Sequence, residues 1–191
     1  MAAGPYQIQW NELVALEPTR AELVQHAPAL ATGYNEPRNA ELMGHTQPIA
    51  PGEVVEHYVE SIANGMRAFL LFCAGELAGD ADLRNVREGA AEFAFMIAAP
   101  SAQGKGLGTR FALMIHAFGF ATLGLARIYA SVAPANRASL RAFDKLGYAL
   151  DGSPAARAFA DEPDDVTLVL ERTHFESQHA AALAEIRIGR R

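Results

Sequence analysis

Cysteine is nearly absent from this 191-residue chain: Cys73 is the only one. An internal disulfide and a cysteine-built structural zinc site are thereby excluded. Cys73 closes the apolar run Phe69-Leu-Leu-Phe-Cys73, where a thiol behaves as a small buried hydrophobe. The six histidines form no HExxH pair, so nothing supports a metal centre. No apolar run approaches the roughly 20 residues that cross a bilayer. The opening residues MAAGPYQIQW lack the basic-then-apolar layout of a secretory leader, and the expectation is a cytoplasmic protein. Repeats, low-complexity tracts and internal linkers are also missing. Half the residues are hydrophobic and a fifth charged, as in an ordinary globular protein with a substantial core.

Positive charge is scarce as well, with a net charge of −6. It is unevenly spread. Gln103 to Gly147 carries Lys105, Arg110, Arg127, Arg137, Arg141 and Lys145 against the single acid Asp144, a local charge of +5, so the remainder stands at −11. A broadly basic nucleic-acid surface is not expected. One cationic segment in an acidic chain suits a small anionic ligand.

That segment begins with "PSAQGKGLG", residues 100–108, between the apolar run Phe93–Ala99 and a stretch with Leu107, Phe111, Met114, Ile115 and Phe118 at helical spacing. The pattern is strand, glycine turn, helix. Free N–H groups at a helix start and glycines in the turn make an anion cradle. A Walker loop fails because Gly106 follows Lys105, and a dinucleotide fingerprint fails because Thr109 holds its last glycine position.

The rest of the chain reads as a strand at 6–10, helices at 20–30 and 52–63, and a hairpin of 67–73 with 76–83 turning at Ala74-Gly75. A strand at 92–99, a helix at 104–123, a strand at 127–133, a helix ending at Gly147 and short strands at 148–150 and 166–170 follow. The tail from about 175 to 188 is Ala-rich and expected to be helical.

Gln103-x-x-Gly106-x-Gly108, preceded by Pro100, resembles the pyrophosphate loop of the GNAT superfamily of acyl-CoA-dependent N-acetyltransferases. Asn136-Arg-Ala-Ser139-Leu-Arg-Ala-Phe143-Asp-Lys145-Leu-Gly147-Tyr148 is similar to that family's later helix. The resemblance covers about 6–172. It implies one α/β (α+β) domain over 1–172, with a central mixed, mostly antiparallel sheet flanked by helices, and a C-terminal helical tail over 173–191. It implies acetyl-CoA as co-substrate, no metal, an amine acceptor (small amine or peptide N-terminus), and a monomer or homodimer. The branch it most resembles acetylates ribosomal-protein N-termini and small amines. A non-catalytic acyl-CoA sensor with the same fold is the alternative.

Carried over by position, backbone groups of Met96, Ile97 and Ala98 would meet the pantetheine arm and the acetyl carbonyl. Gln103, Gly104, Lys105, Gly106, Leu107, Gly108 and Thr109 would cradle the pyrophosphate. Asn136 would hydrogen-bond the pantetheine, a role compatible with capping its helix, and Phe143 would pack beside it. Glu92 stands where several members carry a general base. Phe143 replaces the tyrosine that most members use to protonate the leaving thiolate, and Ser139 resembles the serine used instead in the protein-N-terminus branch. Ser131 occupies a position where other members place a base glutamate. The acids in 34–56 and 151–165, among them Glu36, Glu41, Glu53, Asp161 and Asp165, suggest an acidic rim for a cationic acceptor.

Overall fold

The structure, a computed structural model, describes residues 5–42, 46–98 and 104–191. The described elements run β1 (Tyr6–Trp10), β2 (Leu13–Leu16), α1 (Arg20–Tyr34), α2 (Pro37–Leu42), α3 (Pro51–Ala63), β3 (Arg67–Cys73), β4 (Glu76–Arg87) and β5 (Ala90–Ile97). They continue α4 (Leu107–Ala121), β6 (Arg127–Val132), α5 (Arg137–Leu146), β7 (Ala149–Leu150), α6 (Pro154–Arg157), β8 (Val166–Glu171), α7 (Arg172–Gln178), α8 (Ala180–Glu185) and β9 (Arg187–Arg190).

All the described strands join one sheet in the order β7-β8-β6-β5-β4-β3-β2-β1-β9. Only β5 and β6 pair parallel, and every other neighbour is antiparallel. The expected mixed, mostly antiparallel sheet is present. The β3–β4 hairpin turns at Ala74 and Gly75, both left-handed, as the Ala-Gly signal predicts. Thr19 starts α1 with a full capping box: its hydroxyl accepts from the Glu22 N–H, and the Glu22 carboxylate accepts from the Thr19 N–H.

Three differences from the sequence reading matter. Leu13–Leu16 is a strand, joined to β1 through Asn11 at φ 54°. Helix α1 runs on to Tyr34 instead of stopping near Leu30. The tail is helical only to Glu185, then forms β9 along β1, with Gln7 opposite Gly189 and Ile8 opposite Ile188. Gly189 disfavours helix there, and Ile188 packs against the main core.

Helix α4 covers one face of the sheet. Its Phe111, Met114, Ile115 and Phe118 are fully buried in the main core with Phe69, Leu71 and Phe93. The opposite face is covered in two separate patches. Helices α1 and α3 bury Leu23, Leu30, Val54 and Tyr58 over β3 and β4. The α6 segment buries Ala156 and Phe159 over Tyr129 of β6. Between the patches Ala94 and Met96 of β5 stay half-buried, leaving a strip of sheet open.

Candidate functional site

β5 and β6 pair only from Ala90–Arg127 to Glu92–Tyr129. Beyond Glu92 β5 keeps its pairing with β4, and beyond Tyr129 β6 keeps its pairing with β8. The two inner edges therefore part, and an opening lies between them. The Ala98 N–H donates to the Ala78 carbonyl oxygen on the β4 side, at 2.8 Å. Successive residues of a strand alternate sides, so Ile97 turns its backbone polar groups toward the opening, while Met96 and Ala98 turn theirs toward β4.

The glycine turn and α4 follow β5. Gly104 and Gly106 both take left-handed φ, 73° and 75°, with open space where a Cβ would stand. Gly106 is the N-cap of α4; no side chain caps it, and the first turn carries no acid. The leading N–H groups and the positive end of the helix dipole thus meet no built-in anion among the described residues. Gly108 serves packing instead: a Cβ there would sit 2.7 Å from the Phe95 ring. Lys105 is exposed, and Leu107 and Thr109 are half-buried. Gln103 and Pro100 lie outside the described residues.

Asn136 caps α5, its Oδ1 accepting from the Ser139 N–H at 3.1 Å. Both residues remain half-buried. Phe143 is a core residue, 6.0 Å from Phe95 and 4.9 Å from Tyr148 between ring centroids. Of the cationic segment, Arg110 pairs with Glu12 and Arg127 with Glu171. Lys105, Arg137, Arg141 and Lys145 are exposed and form no ion pair among the described residues.

The opposite face of β4 and β5 carries a row of charged side chains. Glu92 is 1 % exposed. Its Oε1 accepts from Arg84, whose Nη2 lies 2.9 Å away, and its Oε2 accepts from the Asn85 amide at 2.8 Å. Burial raises the Glu92 carboxyl above its ordinary range, with Arg84 opposing. Arg84 also reaches Asp161 at 3.2 Å. Two residues toward the open strip, burial lifts Asp82 to about 7, again against Arg84, whose Nε lies 3.7 Å from Oδ1.

Next comes Asp80, which pairs with Met96 across the strands. Its Oδ2 accepts from the hydroxyls of Tyr34, at 2.8 Å, and Tyr58, and the two hydroxyl oxygens lie 3.2 Å apart. Burial lifts this carboxyl to about 6, while both tyrosines pull it down. Burial and the Asp80 charge push both phenols well above their ordinary value, so they remain donors. Sequence reading singled out Glu92 of this row and missed Asp80 and Asp82. The one signal available was a charged residue at alternate positions of a strand, Asp80, Asp82 and Arg84.

The acidic rim is partly structural. Glu36 and Glu53 accept backbone N–H groups at helix starts. Ser131 donates to Asp165 at 2.6 Å and accepts from the Asp161 N–H at 2.9 Å, tying the loop after α6 to β6. Glu41, Glu56 and Asp161 face solvent.

A family model described as Acetyltransferase (GNAT) domain matches residues 14–149. The chain belongs to the GNAT acetyltransferase family. This GNAT protein is 36% identical over 88 residues to the spermidine N(1)-acetyltransferase of Escherichia coli (strain K12); the match covers 45% of this chain and 47% of that protein. The chain thus spans about half the length of that curated relative. In fold it resembles Mycobacterium smegmatis RimJ in complex with CoA-disulfide, with TM-score 0.70, 18% identity, and coverage of 97% of this chain and 95% of that one. It also resembles a spermidine N-acetyltransferase from Vibrio cholerae in complex with CoA and spermine, with TM-score 0.67, 22% identity, and coverage of 86% and 98%. Among the described residues of this GNAT domain no helix is long and apolar enough to cross a membrane, and no group of three or more His, Cys, Asp or Glu is placed to hold a metal ion.

Proposed function

We propose that the protein is an acetyl-CoA-dependent N-acetyltransferase that acetylates a primary, positively charged amine by direct attack within a ternary complex. The observation that carries this reading is the parting of β5 from β6 beside an α4 N-terminus that has neither a side-chain cap nor an acid in its first turn. An extended amide chain can lie along a strand edge that has parted from its neighbouring strand, and a pyrophosphate fits a glycine turn feeding a helix dipole. Gly104, Lys105, Gly106 and the first turn of α4 from Leu107 to Thr109, with Gln103, would hold the pyrophosphate. Ile97, flanked by Met96 and Ala98, would face the pantetheine and the acetyl carbonyl. Asn136 at the start of α5 would hydrogen-bond the pantetheine, and Phe143 packs against Phe95 of β5. Bound there, acetyl-CoA supplies an activated acyl group.

The acceptor would approach along the strip between the α1/α3 patch and the α6 loop, where Asp80, Asp82, Glu92 and Asp161 outnumber Arg84. A cationic amine is favoured there by charge. The spermidine acetyltransferases among the similar proteins fit such an acceptor, and a basic peptide N-terminus has the same chemistry. In this reading Ser139, half-buried one turn from Asn136, returns a proton to the leaving sulfur. Glu92, with both oxygens engaged, serves to hold Arg84.

Thiol release from acetyl-CoA tests the proposal, with spermidine, a basic peptide and neutral amines of similar size compared across a salt series. Turnover of the cationic amines, with kcat/KM falling as salt rises, is expected. Binding of acetyl-CoA without thiol release would make the protein a sensor. Equal, salt-independent kcat/KM for cationic and neutral amines would refute the cationic acceptor.

A further inference from the structure

In the acetyltransferase reading the acetyl group would lie beside Met96 to Ala98, and the carboxylate paired across the strands from Met96 is that of Asp80. Four residue steps of strand lead from Glu92 to Met96, about 13 Å at roughly 3.3 Å per residue, and Arg84 and Asn85 occupy both oxygens of Glu92. Asp82 stands opposite Ala94, two residues short of Met96; its Oδ1 is likewise buried without a hydrogen-bond partner among the described residues, with the Arg84 Nε 3.7 Å away. Asp80 stands opposite Met96 itself. Helix α1 fixes the same spot: Gly33, the residue before Tyr34, packs so closely that a Cβ there would come 2.5 Å from the Ala98 Cβ.

Asp80 is also built as a group with one hand held and one free. Two tyrosines from two different helices converge on Oδ2. Oδ1 is buried and has no hydrogen-bond partner among the described residues, on a side chain whose residue is only 6 % exposed. An unpaired buried carboxylate oxygen is costly to keep unless something meets it there.

We infer that Asp80, oriented by Tyr34 and Tyr58, is the residue that takes the proton from the acceptor amine. The inference rests on the acetyltransferase reading above. The acceptor ammonium gives one proton to Asp80 Oδ1. The lone pair so freed forms the N–C bond to the acetyl carbon as the C–S bond breaks, its electron pair going to sulfur. The second amine proton ends on that sulfur, and Asp80 returns its own proton to water. A carboxyl lifted to about 6 is a better acceptor at neutral pH than an exposed aspartate and is still ionised there. The titratable groups facing it are Tyr34 from α1, Tyr58 from α3 and Asp82 on β4, with Arg84, Glu92 and Asp161 beyond. Tyr34 and Tyr58 are positioning residues.

The test measures thiol release from acetyl-CoA with spermidine and with a basic peptide, from pH 5 to 9, for wild type, Asp80→Asn, Asp82→Asn, Glu92→Gln and Tyr58→Phe. Asp80→Asn is expected to lower kcat by about 10²-fold or more and to abolish the acidic limb of kcat/KM. It should keep the stabilisation that acetyl-CoA gives the folded protein. Glu92→Gln and Asp82→Asn should keep that limb. Tyr58→Phe removes a hydroxyl that holds the carboxyl down, so its limb should move to higher pH. Without any turnover, Asp80→Asn should also gain stability relative to wild type as pH rises from about 4 to 6, because it removes a carboxyl that resists ionisation in the fold.

An Asp80→Asn protein with wild-type kcat and an intact acidic limb overturns the inference. So does loss of that limb in Asp82→Asn or Glu92→Gln instead. If Asp80→Asn does not fold, an unmoved limb in Tyr58→Phe overturns it. Absence of turnover in the wild type with every amine would remove the acetyltransferase reading, and this inference with it.

Discussion

Acid should weaken this protein through His116, a core residue with no proposed part in the chemistry. The imidazole is fully buried in α4 against Phe93, Phe120 and Phe175. Its Nδ1 lies 2.5 Å from the Ala112 carbonyl oxygen and its Nε2 2.5 Å from the Tyr148 hydroxyl. A carbonyl can only accept, so Nδ1 carries the proton, and Nε2 accepts from Tyr148. Both ring nitrogens are satisfied in the neutral form. Burial depresses the His116 pKa from 6.5 to about 4, with a smaller push from His179. The unfolded chain takes up a proton near pH 6.5 that the folded chain refuses until about pH 4. The contribution is therefore complete above pH 6.5 and lost as pH falls toward 4; at 1.36 kcal/mol per pKa unit it amounts to about 3 kcal/mol.

Other carboxylates titrate over the same range, so the difference from a variant is what matters. His116→Leu combined with Tyr148→Phe removes the titrating group and its partner together and leaves no orphaned hydroxyl. Urea unfolding of both proteins at pH 7, 6, 5 and 4 should show the wild type losing about 3 kcal/mol relative to the double variant between pH 7 and pH 4. Parallel pH profiles for the two proteins would refute the reasoning.

Gly106→Val places a β-branched residue at φ 75° and a side chain in the open turn, so it should cost about 1–2 kcal/mol of stability. It should also abolish the rise in melting temperature given by acetyl-CoA, a stabilisation of about 2.7 kcal/mol at a hundredfold excess over Kd; a retained rise would mean that the turn holds no phosphate. Arg84→Met strands the buried carboxylate of Glu92 and should destabilise by about 3–5 kcal/mol, most of it restored by adding Glu92→Leu. A loss below about 1 kcal/mol in the single variant, read by chemical unfolding, would show that Glu92 does not depend on that cation.

Local signals carried much of the fold. Ala74-Gly75 marked its hairpin, and the apolar stripe of 107–118 marked α4. Gly147 marked the end of α5, which it caps with φ 91°. Strand β2 was invisible because Leu-Val-Ala-Leu suits helix and strand alike, and only its place between β1 and β3 decides the outcome. The glycine turn and the Asn136 helix were legible for the same local reason. Apart from Glu92, the acid row was not. Asp80, Asp82 and Arg84 alternate with Ala81 and Leu83 as a solvent-facing edge would, and nothing nearby in the chain tells that α1 and α3, up to 46 residues away, close over Asp80. Burial of a polar row by distant helices is a tertiary event that strand periodicity cannot encode.

One strand governs both sides of the open strip. Along β4, Asp80 receives Tyr34 and Tyr58 from one wall, Arg84 grips Asp161 of the other, and Arg87 donates to the Ala158 carbonyl oxygen at 2.8 Å while its guanidinium lies over the Phe159 ring. From Asp80 to Arg84 the spacing of the walls is set by regular strand pairing with β5, like marks on a ruler, and the register shift between Arg84 and Arg87, with Asn85 at φ 53°, offsets the contacts of Arg87 from that line. If the strip receives the acceptor as proposed, walls gauged in this way would sort molecules by reach along it, since the width between them has little freedom to adjust. Under the proposed function, residues added to or removed from the loop after α6 would change how long an acceptor the strip admits, without altering how broad it is.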